Sequence, residues 1–186
     1  NAGEAGQGFM NFAIVAAGRL TGGAAKVSVI SSALFGSISG SASANVASTG
    51  MITIPAMRKL GYPKRIAGAV EAVASTGGQI MPPLMGAGAF VMVELTGIPY
   101  NQIILAALIP AILYFVTIWI GVNRYAELYD LKPYKDGMVP KLKVVFKTFL
   151  FFLIPFIILL IGIYIGYTPQ FSAAIAILSA ILLLFV

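Results

Sequence analysis

The chain has 186 residues, 59% of them hydrophobic and 10% charged, with a mean hydropathy of +0.95. Soluble domains average about 45–50% apolar and about 25% charged residues, so a water-soluble globular protein is nearly excluded and lipid is the expected solvent. Twelve Lys or Arg stand against six Asp or Glu, a formal charge of +6, and Cys and His are absent, which removes thiol nucleophiles, disulfides, Cys/His zinc sites and any imidazole relay.

A helix needs about 20 mostly apolar residues to cross a hydrocarbon core of roughly 30 Å. In chain order, Phe9 to Leu20 reads as a short interfacial helix. Val27 to Met57 is long enough to cross but rich in Ser and Gly. Ile66 to Leu95 is also long enough, and is broken by Gly77-Gly78 and Pro82-Pro83. Gln102 to Val122 and Thr148 to Gly166 are simple spans separated by a polar connector, Asn123 to Lys147, and Phe171 to Val186 begins another helix. Residue 1 is Asn and Val186 lies inside an apolar run, so a piece of a longer protein is expected.

The basic residues fix a topology. Cytoplasmic loops concentrate Lys and Arg near the ends of spans. Arg19 and Lys26 precede the Ser/Gly-rich stretch, and Arg58, Lys59, Lys64 and Arg65 follow it; Arg124, Lys132, Lys135, Lys141, Lys143 and Lys147 lie in the connector. The short connections Glu94 to Asn101 and Tyr167 to Gln170 carry none. Val27 to Met57 is therefore expected to enter and leave on the cytoplasmic side as a re-entrant helical hairpin. Ile66 to Leu95 then runs outward, Gln102 to Val122 inward, Thr148 to Gly166 outward and Phe171 onward inward. The basic excess is a topology signal and not a nucleic-acid footprint, which needs clustered cations, ideally with exposed aromatics. The connector reads as a cytoplasmic amphipathic segment lying partly on anionic lipid headgroups, and Tyr114, Trp119, Tyr125 and Tyr129 as an inner aromatic belt.

The two interrupted stretches carry the chemistry. Between Ser31 and Gly50, sixteen of twenty residues are small or polar: seven Ser, one Thr, one Asn, three Gly and four Ala. Close packing through small-xxx-small spacing accounts for Gly36 with Gly40 and Ala33 with Ser37. It does not account for the serines and Asn45 gathered around a double glycine, and non-helical backbone at membrane depth is tolerated only where protein buries it or a cavity lines it. The second element, Ser75-Thr76-Gly77-Gly78-Gln79-Ile80-Met81-Pro82-Pro83, should unwind near the midplane, because Pro removes a helix donor and paired Gly lowers the cost of non-helical dihedrals. One half-helix should end around Thr76, its carbonyls suited to a cation. Another should start around Pro83, its positive end suited to an anion. Glu71 lies about five residues, roughly 8 Å, from the start of its helix. It reads as snorkelling or pairing with Arg58, Lys64 or Arg65 in preference to a substrate or proton role. Glu94 reads as solvated at the outer end.

A re-entrant polar hairpin followed by an unwound helix is the layout of an ion-coupled secondary transporter with a midplane site. Specific runs carry a family resemblance: Ala33 to Ala47, Ile54-Pro55-Ala56-Met57, Leu60-Gly61-Tyr62, Gly68-Ala69-Val70-Glu71-Ala72 and Ala74 to Pro83. Together they resemble the large membrane subunit of tripartite ATP-independent periplasmic (TRAP) transporters. The Glu71 context and Gly77-Gly78-Gln79-Ile80-Met81-Pro82-Pro83 are most similar to the TAXI subgroup, whose small and large membrane subunits are often fused; other members tend to have Gly-Pro-Ile-Ile-Pro-Pro there. The likeness is strongest from Gly18 to Asn101.

The resemblance implies an all-α integral membrane fold of the ion-transporter type, with an inverted repeat and elevator motion. Residues 1–122 would be the first repeat, 123–147 the connector and 148–186 the start of the second repeat. It implies a bacterial or archaeal inner-membrane permease driven by sodium, working with an extracytoplasmic solute-binding protein and a small membrane subunit, separate or fused. Its substrates would be small carboxylates such as C4-dicarboxylates, sialic acid, glutamate or 2-oxoglutarate. The family's sodium contacts fall by motif at Ser37, Ser39, Gly40 and Asn45 in the hairpin. In the unwound helix they fall at Ser75, Gly77, Gly78 and Met81, the last three through carbonyls. Ser41, Ser43 and Thr76 are candidates for facing the organic anion.

Three other readings compete. A binding-protein-independent carrier of the same superfamily would share the hairpin. An intramembrane enzyme would need a base for its serines, yet there is no His and every Lys lies near a span end, so no Ser-His or Ser-Lys dyad can be placed. A passive anchor would tolerate Ser37→Ala or Asn45→Ala.

Overall fold

The computed structural model describes residues 2–134, 139–140 and 142–184. Those residues form eight helices and no strand: α1 (Ala2–Ala17), α2 (Gly23–Ser39), α3 (Ala42–Lys59), α4 (Lys64–Gly77), α5 (Gly86–Thr96), α6 (Tyr100–Leu128), α7 (Leu142–Ile165) and α8 (Pro169–Leu184). By length and composition α6 can cross a membrane, and α2, α5 and parts of α1, α7 and α8 are shorter apolar helices.

The Ser/Gly-rich stretch folds as two helices packed side by side, α2 against α3. Its turn needs only two residues. Gly40 caps α2 in the left-handed conformation, φ +59°, with its N–H on the Gly36 carbonyl at 2.8 Å, a conformation that Gly adopts without steric cost. Ser41 is extended and caps α3, its Oγ accepting from the Ala44 N–H at 3.4 Å. The hairpin is one helical turn longer at its base than the Val27 to Met57 reading, because Gly22, also left-handed, starts α2 at Gly23.

The next stretch breaks where the glycines and prolines stand. α4 ends at Gly77, and residues 78–85 are turns. Met85 and Gly86, both left-handed (φ +47° and +60°), then lead into α5. The half-helices therefore stop one residue later and resume three residues later than Thr76 and Pro83. The later restart has a long-range cause: the Tyr100 hydroxyl donates to the Pro83 carbonyl at 2.7 Å and lies 3.3 Å from that of Leu84, holding both outside the helix.

The main core joins α2, α3, α4 and α6 through Ala24, Ala25, Val29, Met57, Ala67, Ala74, Val122 and Ala126. The many alanines let the helices approach closely. Tyr62, in the α3–α4 turn, is buried, donates to the Gly22 carbonyl at 3.2 Å and stacks on Tyr125. Burial, and secondarily Tyr125, push its hydroxyl up to about 12, so it remains a donor at physiological pH. A smaller cluster ties Met85 and Ala89 to Tyr100, Ile103 and Ile163.

Three elements make contacts that their sequence readings do not include. α1 packs on α2: Met10, Ala13 and Ala17 lie against Val27, with Trp119 and Tyr134 beside them. Tyr114 and Trp119 turn inward. The Tyr114 hydroxyl donates to the Val73 carbonyl at 2.8 Å, and the Trp119 ring lies 5.2 Å from the Lys26 Nζ. α6 runs six residues past Val122, and Tyr134 N–H returns to the Gly18 carbonyl at 2.9 Å, so the connector is pinned to the base of the hairpin at its start. Lys135 and Lys141 of the connector and Val186 of the last helix fall outside the described residues.

Candidate functional site at the hairpin tip and the helix break

The tip of the hairpin docks on the break in the second stretch, and glycine makes the contact. A Cβ on Gly36 would stand 2.3 Å from the Gly78 Cα, and one on Gly78 would stand 2.6 Å from the Gly36 Cα. A second pair repeats the arrangement at the turn: a Cβ on Gly40 would stand 2.4 Å from the Gly86 N, and one on Gly86 would stand 2.6 Å from the Gly40 carbonyl oxygen. Backbone thus lies on backbone at both points, and the Leu84 N–H donates to the Ser37 carbonyl at 3.2 Å. The hairpin supplies a partner for backbone that the break has released from helix, as buried backbone groups require.

Asn45 sits where the three segments meet. It is fully buried. Its Nδ2 donates to the Ser32 carbonyl of α2 at 2.8 Å and lies 3.5 Å from the Ser75 carbonyl of α4. Two carbonyl acceptors fix the amide orientation and turn Oδ1 away from them. Ser75 is also fully buried, and its carbonyl accepts from the Gly78 N–H at 3.1 Å. The carbonyls of Gly77 and Gly78 accept from Ile80 and Met81 at 3.2 and 3.4 Å, each bond leaving a second lone pair. The junction is therefore a buried set of neutral oxygens, the donor type that hard cations take.

The candidate site residues separate into two groups. Ser37, Asn45, Ser75 and Gly78 are buried at the junction, whereas Ser39, Gly40 and Met81 are half-buried at its edge. Ser37 Oγ donates to the Leu34 carbonyl at 2.8 Å and Ser39 Oγ lies 3.5 Å from the Ser41 N–H. Gly77 faces away from the hairpin, against Tyr114 and Phe115. Ser41 and Ser43 lie on the open tip with their hydroxyls 3.2 Å apart, and Ser43 is exposed. Thr76 is exposed and donates to the Ala72 carbonyl of its own helix at 2.8 Å.

One group in this region was not legible as part of it. Glu71 neither snorkels nor pairs with Arg58, Lys64 or Arg65. It is fully buried, and its partners are five hydroxyls from three helices. Ser28 Oγ donates to Oε2 at 2.7 Å and Thr53 Oγ1 donates to the same oxygen. Thr49 Oγ1 donates to Oε1, where Ser75 Oγ stands at 3.3 Å and Ser32 Oγ at 3.5 Å. Each helix contributes an (i, i+4) pair: Ser28 and Ser32 on α2, Thr49 and Thr53 on α3, Glu71 and Ser75 on α4. Residues four apart share a helix face. Three such oxygen pairs in apolar helices are the sequence signal that points to this cluster.

An all-helical chain whose outer faces are apolar and whose buried centre is oxygen-lined has the build of a membrane permease. The comparison with protein families names the kind: the model described as "Tripartite ATP-independent periplasmic transporter, DctM component" matches residues 1–186. The chain belongs to that family, the large permease proteins of TRAP transporters. It is 28% identical over 179 residues to the C4-dicarboxylate TRAP transporter large permease protein DctM of Pseudomonas aeruginosa, an alignment covering 95% of this chain and 42% of the relative. It is 33% identical over 173 residues to the Vibrio cholerae protein of the same name, covering 90% and 37%. To the sialic acid TRAP transporter large permease protein SiaM of Vibrio cholerae it is 30% identical over 176 residues, covering 93% and 40%. The chain thus spans about two fifths of the length of these relatives.

Proposed function

We propose that this chain is part of a sodium-coupled permease of the cell inner membrane that takes up a small organic acid anion, and that the junction of hairpin and break is the cation site. The observation that carries the reading is the buried oxygen-rich junction, where the Ser75 carbonyl and the Gly78 backbone meet the hairpin at the fully buried Asn45 side chain. A sodium ion there would be held by carbonyls of Ser75, Gly77, Gly78 and Met81 and by Asn45, whose amide would turn to bring Oδ1 from Thr49 toward the break, with Ser37, Ser39 and Gly40 closing the hairpin side. Ser41, Ser43 and Thr76, polar and open, would meet the anion once the rest of the permease covers them.

The relatives are named for C4-dicarboxylate and sialic acid transport, which supports a carboxylate as the class of substrate. A solute-binding protein delivers it, a small membrane subunit completes the permease, and the TAXI branch is the favoured subgroup. α2 and α3 enter and leave the cytoplasmic face without crossing, as their basic flanks Lys26, Arg58 and Lys59 demand, and the hairpin with α4 moves as one elevator body. The chemistry is transport and not catalysis. Reconstituting the full-length permease with its binding protein tests this reading: uptake should require sodium, and uptake unchanged when choline replaces sodium would end it.

A further inference from the structure

We infer that Gln79 is a further contact for the transported anion, its side-chain amide donating to a carboxylate oxygen on the same open face as Thr76. The inference rests on the proposed reading of the chain as part of a permease for a small organic acid anion. Beyond α4 the chain continues as a tighter coil. The N–H groups of Gly78, Gln79, Ile80 and Met81 donate to the carbonyls three residues back, those of Ser75, Thr76, Gly77 and Gly78, at 3.1, 3.1, 3.2 and 3.4 Å. Such a coil aligns side chains at i and i+3 and so has three faces. The first turns to the hairpin: Ser75 is buried there, Gly78 lies on Gly36, and Met81 lines a groove with Ala33 and Leu34 of α2. The second, at Gly77, turns to Tyr114 and Phe115 of α6. The third carries Thr76 and Gln79, and both are exposed.

The Thr76 hydroxyl is committed to its own helix at Ala72, whereas the Gln79 side chain has no hydrogen-bond partner among the described residues. Gln79 stands near the centre of the Ile66 to Leu95 stretch, at a depth where hydrocarbon satisfies no amide and polar side chains mark substrate paths. A carboxylate is the partner that such a donor binds best, because hydrogen bonds to an ionised group are roughly twice as strong as neutral ones. The surroundings favour an anion too. Followed back along α4, the open face runs through Ala72 and Ala69 to Arg65, all exposed, while Glu71, the acid of this helix, is buried on another side. A sodium ion at the junction would lie beside Gly78, the residue before Gln79, so adjacent faces of one coil would hold the cation and the anion.

The test places single cysteines in the full-length permease, otherwise free of cysteine, and labels it in membranes with two probes of opposite charge. One is the anion sulfonatoethyl methanethiosulfonate and the other its trimethylammonium counterpart, each rate being taken relative to that of a free thiol in solution. Gln79→Cys and Thr76→Cys should react about tenfold faster with the anion than with the cation, the lower end of what electrostatic focusing in a cleft provides. Ile80→Cys, on another face, should show no such preference. In the Thr76→Cys protein, adding Gln79→Leu should slow the anionic probe about tenfold, as loss of a hydrogen bond to a charged group does, and leave the cationic one unchanged. Gln79→Cys that reacts with neither probe or with both alike, or a Thr76→Cys rate that ignores Gln79→Leu, overturns the inference. So does loss of the Gln79 variants from the membrane while Thr76→Cys remains, which would make Gln79 a packing residue. Repeating the labelling in sodium and in choline separates the two readings: an anion preference equal in both salts supports Gln79 and counts against sodium coupling.

Discussion

The α2–α4 unit and the α5–α8 helices divide their chemistry in opposite ways. In the first, the fully buried side chains include Glu71, Asn45, Thr53 and four serines, Ser28, Ser31, Ser32 and Ser75, and the closest approaches are glycine on glycine. In the second, large apolar side chains face outward: Leu105, Ile109 and Leu113 on α6 are 64, 68 and 61% exposed, as are Leu178 and Leu182 on α8 at 61 and 69%. A soluble protein does not expose apolar surface on this scale. The contrast teaches that the outer helices need only apolar bulk against lipid or further protein, while the inner unit depends on particular atoms at particular distances.

Substitutions at the glycine contacts should have the largest effects. Gly36→Val drives a side chain into the Gly78 backbone, which cannot yield as a flexible side chain would. The cost should be about 3 kcal/mol, the upper end for overpacking, read as loss of the full-length protein from membranes and a collapsed thermal midpoint. Gly40→Ala combines a positive φ with a clash on Gly86 and should behave similarly. If either variant folds normally, the docking of tip on break is wrong.

On the outer helices the kind of substitution decides the outcome. Ile109→Lys in the middle of α6 should cost about 2.5–3.5 kcal/mol for membrane insertion, visible in an insertion assay on the full chain. Ile109→Ala, at the same exposed position, should change stability by less than about 0.5 kcal/mol. An equally harmful Ala would show that α6 packs against something specific there.

Smaller effects should separate buried polar contacts from exposed ones. Asn45→Leu leaves the Ser32 carbonyl without its side-chain donor and should cost about 1–3 kcal/mol. Tyr62→Phe removes the bond to Gly22 and should cost about 1 kcal/mol, read as a shift in the unfolding midpoint. Ser41→Ala removes a helix cap on the open tip and should cost about 0.5–1 kcal/mol. A larger loss at Ser41 than at Asn45 would reverse the comparison of buried and open polar groups.

Much of the inner unit was legible because its signals are local. The double glycine within the serine-rich run marked the region of the hairpin tip, and Gly40 with Ser41 makes the turn there. The glycines and prolines from Gly77 to Pro83 break the helix by their own backbone chemistry. What escaped depends on other helices. Glu71 was placed by its distance from the end of its own helix, whereas its depth is set by α2 and α3 closing over it with four hydroxyls. The late start of α5 follows from Tyr100, seventeen residues away from Pro83. The packing of α1 on Val27 follows from which of its small residues, Ala13 and Ala17, fit against α2, and its apolar pattern alone does not distinguish a protein partner from a membrane surface.

The most direct measurement is uptake by the full-length permease in proteoliposomes supplied with its binding protein, wild type against Asn45→Ala, in sodium and in choline at equal ionic strength. The account predicts that wild type transports only in sodium and that Asn45→Ala transports in neither. Equal uptake by the two proteins, or uptake by wild type that ignores sodium, would contradict it.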